Sequence, residues 1–357
     1  MDNKKVMYFI RNKKDVDNPE AEVHSVEYEV VTDANVIGDL NYGPYRFKIW
    51  EFNDKKEGEE RKLCLGIREV RQLFSDDELF GSQKQPAYYH GGGIADELVS
   101  LSSVFLRRRF KITSTVRHDD NPVMFSNNWR KKWVDKSLIQ GQSNLEYLSE
   151  WLSQVENLES KYHQKFMLAV KMYHQALQAI EEQPDLAYLS LVSAIEVLCQ
   201  DTKINKPSLG EGGSNKELVK LLNQIEDENL RNKISKAIVD KDRFISKRFV
   251  AFIIENIEDD FWDEPGRPQN GRVEPSGLPK LLAKIYDQRS RTLHNGEPFP
   301  VYVMDAPREM DGEIEYAPGR GTLIKTWKQE DYIPYPQFFE KLVNHVLKVF
   351  VKKKQAI

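Results

Sequence analysis

The hydrophobic period of the chain changes once, near residue 142, and that change restricts the folds open to it. Before it, "KVMYFIR" (5–11), "VHSVEYEVV" (23–31), "PYRFKIWEF" (44–52) and "KLCLGI" (62–67) carry the aromatic and β-branched residues that favour strands. Asn, Asp and Gly separate them, and "NYGPY" (41–45) reads as a turn between two. One helix interrupts, "IADELVSLSSVFLRRR" (94–109), where Ile94, Leu98, Leu101 and Phe105 recur at helical spacing. After "GQSN" (141–144) the period is 3.6 to the end. The expected fold is therefore α+β: an N-terminal mixed, β-rich domain over 1–142, followed by an all-α bundle over 143–357.

In the second half, Ser143 or Asn144 can cap "LEYLSEWLSQVENLE". In the next helix Phe166, Val170, Tyr173, Leu177 and Ile180 form one stripe. Asp185 is expected to cap "LAYLSLVSAIEVLCQ", which is apolar on nearly every side and so belongs at the centre of the bundle. Further helices follow in "KELVKLLNQIEDENLRNKISKAIV", "RFISKRFVAFIIENI" and "QFFEKLVNHVLKVFVKKK", with a hairpin expected at "REMDGEIEY" (308–316).

With 357 residues, 40% hydrophobic and 30% charged, the chain reads as a soluble globular protein, and the opening residues lack a secretory apolar run, so it is expected to be cytoplasmic and off the membrane. Cys64 and Cys199 both lie in apolar runs, as small buried thiols do. The net charge of −4 gives no global attraction to polyanions, so such a site must be local. "FLRRRFK" (105–111) and "WRKKW" (129–133) mix cations with aromatics; each suits phosphate and base contacts or a solvated basic face.

One cation breaks an apolar stripe. In a helix starting near Leu278 and Pro279, the residues Leu278, Leu282, Ile285, Arg289 and Leu293 share a face. A guanidinium there needs a carboxylate, a dimer cleft or a phosphate opposite it. Glu196 is the matching anomaly, on a polar line with Ser190 and Ser193 in the most apolar helix, and an ion pair or shared cleft with Arg289 is expected. His294 lies about 140° further round the helix, unless the Asn295-Gly296 stop unwinds the last turn and swings the imidazole back.

"KIYDQRSRTLHNG", running through Arg289, Ser290 and His294, resembles the R-X4-6-H motif of HEPN domains, in the setting of their ApeA-like branch. "FMLAVKMYHQAL", "LAYLSLVSAIEVL" and "ISKRFVAFI" are similar to that branch's earlier helices in the same order. The resemblance implies a HEPN-type helical bundle that forms a homodimer, and a metal-independent endoribonuclease, needing no cofactor, in anti-phage defence or a toxin system. It assigns Arg289 and His294 as the catalytic pair acting on RNA; Glu196, Ser290 and Asn295 are expected to support them. Many HEPN nucleases have Asn, Asp or His after the arginine, where this chain has Ser290. Lys247, Arg248 and Arg291 are expected to contact the RNA backbone. The first 142 residues are expected to sense a phage-derived activator or regulatory partner, and segment 297–334 to restrain the nuclease by lying over the cleft.

A second reading makes the helical half a non-catalytic dimerisation scaffold in a defence complex. "HGGGIADE" (90–97) resembles an esterase oxyanion loop, but the chain has no G-x-S-x-G pentapeptide to accompany it. "GEGGSNK" (210–216) lacks the spacing of a nucleotide-binding loop, and no histidine or cysteine pairing has metal-ligand spacing.

Overall fold

In the computed structural model, the residues described are 6–50, 61–70, 92–119, 121–122, 142–204, 216–241, 244–263, 267, 271–304, 315 and 332–356. The "WRKKW" patch, the "GEGGSNK" loop, the esterase-like His90 and Gly91, nearly all of the expected 308–316 hairpin and most of 297–334 lie outside them.

The first element corrects the sequence reading. "KVMYFIR" belongs to a helix, α1 (Tyr8–Asp15), not a strand. Its free N-terminal N–H groups meet a buried carboxylate: Glu97 accepts from Tyr8 N (3.1 Å) and Phe9 N (2.8 Å). An anion at a helix N-terminus satisfies the orphan donors and the dipole together, a tertiary contact that local strand propensity cannot report.

The strands are β1 (Val23–Thr32), β2 (Asn35–Ile37), β3 (Leu40–Tyr42), β4 (Tyr45–Ile49), β5 (Arg61–Val70), β6 (Phe110–His118), β7 (Asn121–Pro122) and β8 (Gln142–Asn144). Among the described residues one antiparallel sheet runs β3-β4-β5-β1-β6-β7, and β2 pairs in parallel with β8. "NYGPY" makes the β3–β4 hairpin as read, with Gly43 at positive φ where a side chain would be strained. One sheet face carries Val26, Val30, Leu63, Leu65, Ile67, Tyr45 and Phe47, all buried in the core.

Helix α2 (Ile94–Leu106) packs on this sheet and on the helical half, and stops at Arg107, which is left-handed. Of the basic run after it, Arg107 and Arg109 are neither solvated nor open to a polyanion, whereas Lys111 is exposed. Arg107 makes a bidentate bond to Glu340 at 2.6 and 2.9 Å, and Arg109 reaches Asp33 (2.5 Å) and Glu181 (2.8 Å). These cations are internal ties, and a run of like charges cannot reveal carboxylates so far away in sequence.

The helical half comprises α3 (Leu148–Glu156), α4 (His163–Ala179), α5 (Pro184–Cys199), α6 (Lys216–Leu222), α7 (Glu228–Lys241), α8 (Ile245–Glu255), α9 (Leu278–Asn295) and α10 (Pro336–Lys353). Asn144 caps the turn leading into α3, its side chain accepting from Glu146 N at 2.9 Å. The α4 stripe from Phe166 to Ile180 is fully buried, and α5 packs against α4, α8, α9 and α10. Asp185 is not its N-cap: Gln183 holds that position, Pro184 starts the helix, and the Asp185 carboxylate accepts from Leu186 N in the first turn. Both halves share one buried core across residue 142. Among the described residues no helix is long and apolar enough to cross a membrane.

His174 of α4 sits at the α2 contact, its Nδ1 2.9 Å from Ser103 Oγ, and burial pushes its pKa down to about 4. The unfolded imidazole takes its proton near 6.5, so between about 6.5 and 4 the unfolded chain binds more protons. This contribution is complete above about pH 6.5 and is lost as the pH falls toward 4, by up to about 3 kcal/mol. Urea melts at pH 7.5 and 4.5 should show that component in the wild type and lose it in His174→Gln.

Candidate functional site

The C-terminal half of α9 is less buried than the stripe alone predicts. Leu278, Leu282 and Ile285 are buried, Arg289 one turn on is half-buried, and Leu293 is 52% exposed rather than in the core. Arg289 therefore sits where the buried stripe of α9 gives way to exposed residues, against Glu196 of α5.

The ion pair expected from the two anomalies is present. Arg289 Nη2 donates to Glu196 Oε2 at 2.6 Å, and Tyr286 Oη donates to Glu196 Oε1 at 2.9 Å. The guanidinium carbon lies 5.8 Å from the Tyr286 ring centroid, and that ring tilts against Phe249 of α8 at 5.3 Å. Burial first, and the Glu196 carboxylate second, push the Tyr286 phenol above its ordinary pKa, so it stays a donor. Burial likewise lifts the Cys199 thiol to about 12, keeping it protonated beside the same carboxylate. Arg289 Nε is buried without a partner, and Nη1 makes no hydrogen bond among the described residues.

His294 is elsewhere. α9 stays regular through Asn295, and Gly296 takes the left-handed conformation only beyond it, with its N–H on Thr292 O at 3.2 Å. The stop thus closes the helix instead of unwinding it, and the expected swing of the imidazole does not occur. His294 remains exposed in the last turn, about 140° from Arg289, with no hydrogen bond among the described residues.

Arg248 donates to the Gln200 carbonyl at the end of α5, one turn beyond Glu196, and its Nε is buried without a partner. Lys247 is exposed, 6.0 Å from the Phe244 ring. Arg291 is engaged with Asp287 and Glu297, each at 3.2 Å, and with Gln288 at 3.0 Å. Ser290 is half-buried, and Asn295 Nδ2 approaches Glu297 Oε1 at 3.5 Å. The structure therefore gathers Glu196, Tyr286, Arg289 and Arg248 along the end of α5, and leaves Lys247, Arg291 and His294 on the surface. Tyr286 went without a role in the sequence reading; its place three residues before Arg289, on the same helix face, is the signal that could have given it one.

Glu196→Ala should lower stability by about 1–3 kcal/mol in a urea melt, because it strips a half-buried guanidinium and a phenol of their shared acceptor. A loss no larger than that of an exposed Glu→Ala would show the pair to be solvated. No family model, no curated protein and no solved structure matches the chain.

Proposed function

We propose that the chain is a metal-independent endoribonuclease of the HEPN type, acting as a homodimer in defence against phage or in a toxin system. The observation carrying this reading is Arg289: a part-buried guanidinium held by Glu196 and beside Tyr286, with Nη1 still without a partner among the described residues. The guanidinium has five donors, and Glu196 takes one of them. The planar fork that remains suits a phosphodiester.

In this mechanism His294 takes the proton of a ribose 2′-OH. The 2′ oxygen bonds to the adjacent phosphorus and the P–O5′ bond breaks. Arg289 holds the phosphoryl oxygens as charge builds on them, and His294 of the partner subunit protonates the departing 5′ oxygen. The products are a 2′,3′-cyclic phosphate and a 5′-hydroxyl. Because His294 is turned away from Arg289 within one chain, joining the two is a task for the second copy. Leu293 on α9, Leu186 on α5 and Val301 are exposed apolar residues that such a copy would cover. Lys247, Arg248 and Arg291 supply backbone contacts, with Arg291 exchanging Glu297 for a phosphate. The β-rich region receives the activating signal.

The ion pair itself favours a second reading. With Glu196 on Arg289 the guanidinium charge is already compensated, as in a scaffold that only dimerises. Incubation of the purified protein with total RNA in excess chelator separates the two readings: cleavage that disappears in Arg289→Ala and in His294→Ala supports the nuclease. No cleavage, or cleavage surviving in both, leaves the scaffold.

A further inference from the structure

Antiparallel partners share a sheet face, so the register shows what the side opposite the core carries. Arg46 and Lys48 of β4 pair with Gly66 and Cys64 of β5, Ser25 pairs with Arg68, and Glu27, Glu29 and Val31 pair with Gly66, Cys64 and Lys62. On β6, Arg117 faces Glu27 and Lys111 faces Val31. The ladder continues one residue past β4, where Trp50 N–H donates to Lys62 O at 3.0 Å and sets Trp50 opposite Lys62 on this same face.

Glu29 and Val31 are the buried members of the face. Glu27 pairs with Arg117 at 3.2 Å and Glu29 with Lys62 at 3.5 Å. Arg46, Lys48, Arg68 and Lys111 are exposed and have no ion pair among the described residues. Trp50 is 44% exposed with no ring partner among the described residues. Arg46, Lys48 and Trp50 alternate along one strand at about 6.8 Å per step, with the neighbouring strand about 4.8 Å away. A tryptophan exposed beside cations offers a flat apolar face on which a base can stack.

We propose that this sheet face is a platform for single-stranded RNA, with Trp50 stacking on a base and Arg46, Lys48, Arg68 and Lys111 holding phosphates. Charge complementarity selects a polyanion, and the exposed indole selects one with unpaired bases over a duplex or an acidic protein. It rests on the nuclease reading only in naming RNA as the strand; the proposed face lies on the sheet, and Arg289 on α9 of the helical half.

The test is fluorescence anisotropy of the full chain with a labelled single-stranded 2′-O-methyl RNA of about 12 nucleotides, which the proposed chemistry cannot cut. Trp50→Ala should weaken binding about tenfold or more and Trp50→Phe much less. Glutamine at Arg46, Lys48, Arg68 and Lys111 together should flatten the dependence of log K on log salt by about three. All five positions are exposed, and unchanged thermal midpoints would confirm the fold. Unchanged affinity and salt slope in these variants would overturn the proposal, as would heparin or duplex RNA binding as tightly with no effect of Trp50→Ala. A wild type that binds through Trp50 but never cuts RNA would remove the nuclease reading and leave the platform. Cutting unaffected by the Trp50 and cation variants, with binding equal to wild type, would do the reverse.

Discussion

His294→Ala should lower the proposed RNA cleavage by about 10²–10⁴-fold, while the melting midpoint should stay within a degree or two of wild type. The first figure is what a positioned general acid or base contributes. The second follows from exposure: His294 makes no hydrogen bond among the described residues, so its removal leaves no buried group unsatisfied. Arg289→Ala should differ in kind. It removes phosphate stabilisation, costing a further 10²–10³-fold by the measure of a lost transition-state donor, and it also strips Glu196 of its partner, so some stability goes with the activity. Arg289→Lys keeps the charge but not the fork, and should restore stability more fully than rate. Rates assayed in chelator that follow neither substitution would defeat the mechanism.

The Arg289–Glu196 pair was legible in the sequence to the extent that burial makes charge conspicuous. Arg289 and Glu196 stood out because each interrupts an apolar pattern, and two such interruptions on neighbouring helices have few ways to be satisfied except by one another. Periodicity also placed α2, α4, α5, α9 and α10, whose stripes are long enough to outweigh end effects. What escaped was decided by partners distant in sequence. α1 reads as a strand until Glu97 is brought to its N-terminus, and Arg107 and Arg109 read as surface until Glu340, Asp33 and Glu181 fold around them. Trp50 was read merely as a strand residue, since a pattern of alternation does not say which face of a sheet is left open.

Arg109→Met should be the most damaging substitution outside the apolar core. The guanidinium is 2% exposed; it grips Asp33, 1% exposed, through Nε and Nη2, and reaches Glu181 just beyond α4 through Nη1. Methionine fills much of the volume and leaves Asp33 charged in a place without water, which costs about 3–5 kcal/mol. The ion pair between Arg117 and Glu27, with both side chains about half exposed, is the internal control: Arg117→Ala should cost less than about 1 kcal/mol. Adding Asp33→Asn to Arg109→Met should recover part of the loss, because the penalty lies in the orphaned charge and not in the missing contact. The tie also joins the sheet to the helical half, whose core is shared. Urea unfolding followed by far-ultraviolet circular dichroism and by tryptophan fluorescence should therefore give one coincident transition, shifted to lower urea in Arg109→Met with its slope retained. Two separated transitions in the wild type would mean that the sheet and the bundle fold as independent units, and that Arg109 stabilises only the side on which it stands.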